Sequence, residues 1–324
     1  MPLTTYTAAL SQEQAAKLRE LLVREGFEFT EKPHTLYAAS KGKLNVAVYA
    51  KGPKVLLQGK GTEEFLQFKL EPEILGEAKF GYEEVHNPQM FAPHFGIDES
   101  GKGDFFGPLV IAGAYVDREL ARAYLSVGVQ DSKRITSDAR IRELAQAIRE
   151  TPGAVTEVLK FPPDRYNELY DKFHSLNRLL AWGHARVIEN LAAQRPDCPR
   201  ALSDQFADPS LIEKALKNRV PDIIMEQRTR AESDVAVAAA SILARDAFVD
   251  WMERAGKRLG RTLPKGASAQ VRETAAILVR ERGAEFLKLA AKTHFRTAHE
   301  IAPETYALRT RPYVRPDAPE SGRS

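Results

Sequence analysis

The stretch GIDESGKGDFFGP at residues 96–108 decides how this chain is read. Its first eight letters nearly spell the phosphate-binding loop G-x-x-x-x-G-K-[ST], whose last hydroxyl meets Mg2+. Here the eighth position is Gly103, and Asp98 and Glu99 sit inside the loop. The missing hydroxyl disfavours a nucleotide cradle. Two acids after an apolar strand onset favour an open cation site, because Mg2+ takes carboxylate oxygens. Along a regular strand these neighbours point to opposite faces. At a fraying strand end both could turn towards one site. Gly101, Gly103 and the Lys102 amide can approach a phosphate closely, and the Lys102 side chain adds charge.

Two adjacent acids leave a cation site incomplete, so further ligands must come from distant segments. Asp204 ends the strand-like ALSD, and Glu232 opens an alanine-rich helical region. Asp234, two positions later, competes with Glu232. Acids brought this close repel unless cations neutralise them or one stays protonated. Two metals about 3.5–4 Å apart could activate water and stabilise the leaving oxygen of a phosphodiester.

The 324 residues are 43% hydrophobic and 28% charged, an ordinary globular composition long enough for two domains. A net charge of +3 permits a polyanionic partner without requiring one. Cys198 is the only cysteine, which excludes an intrachain disulfide and a cysteine-rich metal knuckle. The N-terminus lacks a basic region followed by an apolar core, and no stretch is apolar enough to span a bilayer. A cytoplasmic protein with no membrane partner is expected, acting as a monomer.

Residues 1–85 read as a small α+β domain: a strand at 4–10, a helix capped by Ser11 and stopped by Gly26, strands at 35–40, 44–50 and 54–59, and a helix at 63–75 disturbed by Pro72. Lys43, Asn45 and Lys60 lie around its strands and are candidate contacts to a nucleic-acid backbone. Residues 86–93 read as a linker. Residues 94–303 read as an α/β domain with strands near 95–98, 108–116, 155–161, 200–207 and 222–227 between helices. Residues 304–324 read as a loose tail. His174 and His294 read as structural, Trp182 and Trp251 as packing residues, and Ser241 as a tight helix contact.

With these residues in view, the chain resembles bacterial ribonuclease HIII, of the type 2 ribonuclease H family. D-E-S-G-K-G-D at 98–104 resembles the first signature of that family. Asp131-Ser132-Lys133, Ser203-Asp204-Gln205-Phe206, and Ala231-Glu232-Ser233 followed by V-A-A-A-S-I-L-A-R resemble later motifs. L-P-K-G-A at 263–267 and A-K-T-H-F at 291–295 fit late segments. Six ordered motifs are specific where one alone is weak. The resemblance implies a ribonuclease H-like mixed sheet flanked by helices. It also implies that the small front domain is similar to one repeat of the TATA-binding protein.

By resemblance, Asp98, Glu99, Asp204 and Glu232 are the catalytic, metal-holding acids, for Mg2+ or Mn2+, with two ions during catalysis. The implied activity is endonucleolytic hydrolysis of the RNA strand of RNA/DNA hybrids, giving 5'-phosphate and 3'-hydroxyl ends, in DNA replication and repair. Ser100, Gly101, Lys102, Gly103, Ser132 and Lys133 are the implied substrate contacts. Two alternatives stand beside this: incision at single ribonucleotides embedded in duplex DNA, as in the ribonuclease HII group, and noncatalytic hybrid binding. That group has Asp where this chain has Glu232, and H-K-G-Y-G where it has P-K-G-A-S from 264 to 268.

Overall fold

A computed structural model of the chain describes residues 4–76, 87–129, 132, 135–217, 219–220 and 222–303. Asp131, Lys133 and the tail at 304–324 lie outside the described residues. The chain divides into two compact units, residues 1–91 and 92–324.

The first unit is an antiparallel sheet with helices. Its strands are β1 (Thr5–Ala9), β2 (Glu28–Thr30), β3 (Thr35–Lys41), β4 (Leu44–Tyr49) and β5 (Lys54–Gly59), in the order β1-β5-β4-β3-β2. The three-residue edge strand β2 was not legible in the sequence, being too short to show alternation. Helix α1 (Gln12–Arg24) begins in a capping box: Gln14 N–H donates to Ser11 Oγ at 3.0 Å, and Ser11 N–H donates to the Gln14 side chain at 2.8 Å. Its stripe Ala15, Leu18, Leu21 and Leu22 is buried. Helix α2 (Thr62–Phe65) runs on as a π-helix over Leu66–Leu75, the wider winding that contains Pro72. These stripes share one core with Val46, Val48, Val55 and Leu57. Strand register places Thr5, Gln58, Asn45 and Ser40 in one cross-strand row on the other face.

The second unit holds a mixed sheet of β6 (His94–Ser100), β7 (Leu109–Val116), β8 (Thr156–Phe161), β9 (Arg200–Asp204) and β10 (Ile224–Arg228), ordered β10-β9-β6-β7-β8. β6 pairs antiparallel with β7 and parallel with β9. Its helices are α3 (Arg118–Val127), α4 (Asp138–Glu150, capped by Ser137), α5 (Pro163–Phe173), α6 (Leu176–Gln194), α7 (Pro209–Leu216), α8 (Val235–Leu259) and α9 (Ala269–Arg282). Every residue of β7 is buried, as expected for a central strand covered on both faces.

Two glycines show which helix covers which face. A Cβ on Gly96 would lie 2.1 Å from the Ala236 carbonyl carbon, so the start of α8 rests directly on β6. A Cβ on Gly113 would meet Val187 and Leu191 of α6 within 2.7 Å. Side chains alternate along a strand. Gly96, Asp98 and Ser100 therefore face α8, and Phe95, Ile97 and Glu99 face α6.

Candidate active site

The acids gather at the end of β6 and its neighbour β9. The last register pair between them is Ile97 with Ser203. One position further, Asp98 and Asp204 stand side by side on the α8 face, at the inter-strand spacing of about 5 Å. Leu202, two residues before Asp204, packs with Val237 of α8 and Ala231, which fixes the facing independently. Ala231 N–H donates to Asp204 Oδ1 at 3.4 Å, so the turn carrying Glu232 sits at the Asp204 carboxylate.

Glu232 does not begin the long helix. It lies in a single 3-10 turn, Ala231–Ser233, and α8 starts at Val235. Asp234 is the N-cap: Oδ1 accepts from Ala236 N–H at 2.9 Å and Val237 N–H at 3.4 Å. The same oxygen lies 2.9 Å from His94 Nε2, and His94 Nδ1 is 2.7 Å from Ala92 O. Asp234 is thus committed to holding the helix.

Glu99 behaves unlike the other three acids. β6 stays regular through Ser100, which pairs with Val110, so Glu99 does not turn towards Asp98. It points to the α6 side, where Oε2 is 3.2 Å from His184 Nε2 and Oε1 accepts from Lys102 Nζ at 2.9 Å. Burial alone would raise its pKa, but His184 and then Lys102 outweigh burial and hold the carboxyl down to about 2. His184 is buried, and its ring lies 4.7 Å from that of Phe206, in the S-D-Q-F stretch. This imidazole was missed in the sequence. Its signal was a polar residue on the apolar stripe Leu180, Val187 and Leu191 of α6.

Among the described residues, no three His, Cys, Asp or Glu side chains gather closely enough to hold a metal ion. The donors themselves fit a hard divalent cation: they are all carboxylate oxygens, and two sit on adjacent strands with like charges that a cation would relieve.

The glycine turn is clamped from two late segments. Gly101 has φ +86°, and a Cβ there would lie 2.2 Å from Pro108 O, so only glycine fits. Gly103 has open space around it. Gly266 N–H donates to Asp104 Oδ1 at 2.6 Å, and Phe105 N–H donates to Gly266 O at 2.9 Å. Lys292 is buried and donates to Asp104 O at 2.8 Å, Phe106 O at 3.4 Å and Gly107 O at 2.6 Å. Strand β7, not a helix, follows this turn, which excludes the phosphate-binding loop considered at the outset.

The remaining residues divide. Ser132 is buried and its Oγ is 2.7 Å from Ser241 Oγ, while Arg245 donates to Ser132 O at 2.8 Å. Ser132 therefore fixes its turn from inside the protein. His294 stacks on Tyr170 at 4.5 Å, the supporting role expected of it. Lys43, Asn45 and Lys60 are exposed in the first unit.

Comparison with known proteins matches the chain to a family. The Ribonuclease HII family profile matches residues 95–298, within the second unit. Ribonuclease HIII of Chlamydia felis is 44% identical over 300 residues, covering 92% of this chain and 97% of that protein. The chain belongs to the ribonuclease HIII family. Ribonuclease HIII of Protochlamydia amoebophila is 42% identical over 299 residues, with 92% of this chain and 97% of that protein covered. The crystal structure of Bst-RNase HIII in complex with Mn2+ superposes with a TM-score of 0.62 at 30% identity, over 94% of this chain and all of that one. Aquifex aeolicus RNase H3 superposes at 0.52 and 29% identity, over 90% of this chain and all of that one. The family fold is ribonuclease H-like with a small N-terminal α+β unit, and membership makes the chain a metal-binding nuclease of the ribonuclease H class.

Proposed function

We propose that the chain hydrolyses the RNA strand of RNA/DNA hybrids endonucleolytically, leaving 5'-phosphate and 3'-hydroxyl ends. The observation that carries this is the β6–β9 register, which sets Asp98 beside Asp204 with the Glu232 turn bonded to Asp204. Asp98, Asp204 and Glu232 would hold Mg2+ or Mn2+ on the α8 face, and Glu99 would join them on leaving His184 and Lys102 on the α6 face. Bound divalent ions supply an activated water and stabilisation of the departing 3'-oxygen.

The chain's own residues do the rest. Lys292 and Gly266 hold the backbone of the 101–107 turn rigid. The glycines let backbone amides approach the 2'-hydroxyl, the group that distinguishes RNA from DNA. Lys102 offers charge to a nearby phosphate, in exchange for Glu99. Ser100 and Lys133 are proposed as further contacts, and Ser132 as the residue that shapes their turn. The first unit, similar to a TATA-binding-protein repeat in this reading, meets the hybrid through its open sheet face, with Asn45 on that face and Lys43 and Lys60 beside it. The enzyme is read as a cytoplasmic monomer; no helix among the described residues is long and apolar enough to cross a membrane.

The test compares a long RNA/DNA hybrid with a duplex carrying one ribonucleotide, in Mg2+, in Mn2+ and in EDTA. Metal-dependent cleavage of the hybrid, with much slower incision of the single ribonucleotide, is expected. Preference for the single ribonucleotide would replace this reading with the ribonuclease HII-like one.

A further inference from the structure

A second concave site lies on the sheet face that carries Asp98. It is a cleft of about 590 Å3 between the end of β8 and the C-terminal half of α8, lined by Lys160, Trp251, Arg254, Lys257 and Arg258. Asp250 also lines it and accepts from Arg254 Nε at 2.8 Å, so that pair is internally neutral. Lys160, Lys257 and Arg258 are exposed and have no carboxylate partner among the described residues. Three charges without a carboxylate partner thus surround one indole. Gathering like charges without a counter-charge raises the local potential, and a cleft focuses it further.

Strand register fixes where this charge lies. Ser100 pairs with Val110, and Val110 pairs with Lys160, which makes one rung across β6, β7 and β8. Residues of one rung share a face, so Lys160 projects to the α8 side, as Asp98 does. The rung crosses two inter-strand spacings, about 10 Å. A duplex strand advances about 3.4 Å along its axis per phosphate. Lys160, at the edge of the cleft, thus stands about three phosphates from the residue that follows the acids.

We propose that this cleft seats backbone phosphates of the substrate duplex about three nucleotides from the scissile position, with Lys160, Lys257 and Arg258 as the contacts and Trp251 as the wall against the sugar. The inference rests on the functional reading above and adds to it a second anchor within the catalytic unit. An anchor outside the scissile site sets register without touching the reacting atoms.

The experiment measures binding of a 20-base-pair RNA/DNA hybrid in EDTA as a function of salt. It uses the full chain, the triple variant Lys160→Gln/Lys257→Gln/Arg258→Gln, and a control of equal charge loss, Lys172→Gln/Lys214→Gln/Lys217→Gln. Each phosphate contact contributes about 0.9 to the slope of log K against log salt. The triple variant should lose about 2–3 from that slope and bind at least tenfold more weakly at 0.1 M salt, with the control close to the unmodified chain. Lys160→Gln alone should lose about 1, which covers a triple variant that folds poorly. Equal slopes for unmodified and triple-variant chains, or an equal drop in the control, would overturn the proposal. Cleavage by the unmodified chain in Mn2+ is followed alongside: cleavage with equal slopes overturns the cleft alone, whereas no cleavage overturns the functional reading and leaves the slopes to decide the cleft.

Discussion

Lys292→Met is the sharpest test of the clamp on the glycine turn. Lys292 is fully buried, and its nitrogen faces three backbone carbonyls, of Asp104, Phe106 and Gly107. Burial drives its pKa down from 10.5 to about 7, and the Asp104 carboxylate pulls the other way. The unfolded chain therefore keeps this proton up to about pH 10.5, and the folded chain releases it near pH 7. Between those values the unfolded state binds more protons, so folding stability from this residue rises with pH. Each pH unit well inside the window contributes about 1.4 kcal/mol. Allowing for half-protonation at the folded midpoint, the gain from pH 7 to pH 9 is about 2 kcal/mol. Methionine keeps the length and removes both the proton and the donors. It should be less stable at pH 7 by a few kcal/mol, because three buried carbonyls lose a partner at about 1–3 kcal/mol each while a costly buried amine is also removed.

The quantity to measure is the stability gap between the two proteins as a function of pH. Urea denaturation of the full chain, followed by tryptophan emission, serves this well. Both tryptophans, Trp182 and Trp251, lie in the second unit with Lys292, so the signal reports that unit. The gap should widen by about 2 kcal/mol from pH 7 to pH 9. Comparing the two proteins at each pH cancels every other titrating group. A gap that stays constant, or narrows, would falsify the buried-ammonium argument.

Four further outcomes follow from the same geometry. Asp98→Asn and Asp204→Asn should each reduce hybrid cleavage by about 1,000-fold or more while leaving the thermal midpoint within a few degrees, as expected for metal-holding acids; circular dichroism and a single-turnover assay check both halves. Glu232→Gln and Asp234→Ala should separate: the first loses cleavage and keeps stability, and the second loses about 1–3 kcal/mol of stability, as a cap and buried histidine partner is removed. His184→Ala should lower kcat about 10–100-fold by releasing Glu99, with His184→Gln recovering part of it and hybrid affinity in EDTA unchanged for both. Gly96→Ala should destabilise the second unit by about 3 kcal/mol or more in urea, since its Cβ would meet the backbone of α8 rather than a movable side chain.

The order of strands and helices was legible in the sequence wherever periodicity and caps agreed. Ser11 and Ser137 announced α1 and α4 because a hydroxyl ahead of an apolar 3.6-residue stripe has one good use. The edge strand at Glu28–Thr30 was not legible, since three residues show no alternation, and no local pattern marked the π winding through Pro72. The acids were legible only as types of residue. Their facing was not, because it rests on whether β6 frays after Ile97 or continues to Ser100. It continues, held by the pairing of Glu99 with Ile111 and Ser100 with Val110. That choice sends Glu99 to His184, a partner 85 residues away that no local pattern marks as one.

Asp234 and Glu232 show why spacing alone could not choose between two acids. Both lie within three residues of a helix start, where the backbone amides attract negative charge. A helix N-terminus has a single cap position, and its occupant must spend its oxygens on the first amides. Asp234 does so twice from one oxygen and meets His94 with the same atom. An acid bound in this way gains nothing by turning to a cation, since leaving would expose two buried amides and a buried imidazole at once. Glu232, two residues earlier, lies outside the cap position, and its turn is held through the Ala231 amide on Asp204. The carboxylate that the helix needs for its own start is withdrawn from chemistry, which is why the proposal assigns metal holding to Glu232 and not to Asp234.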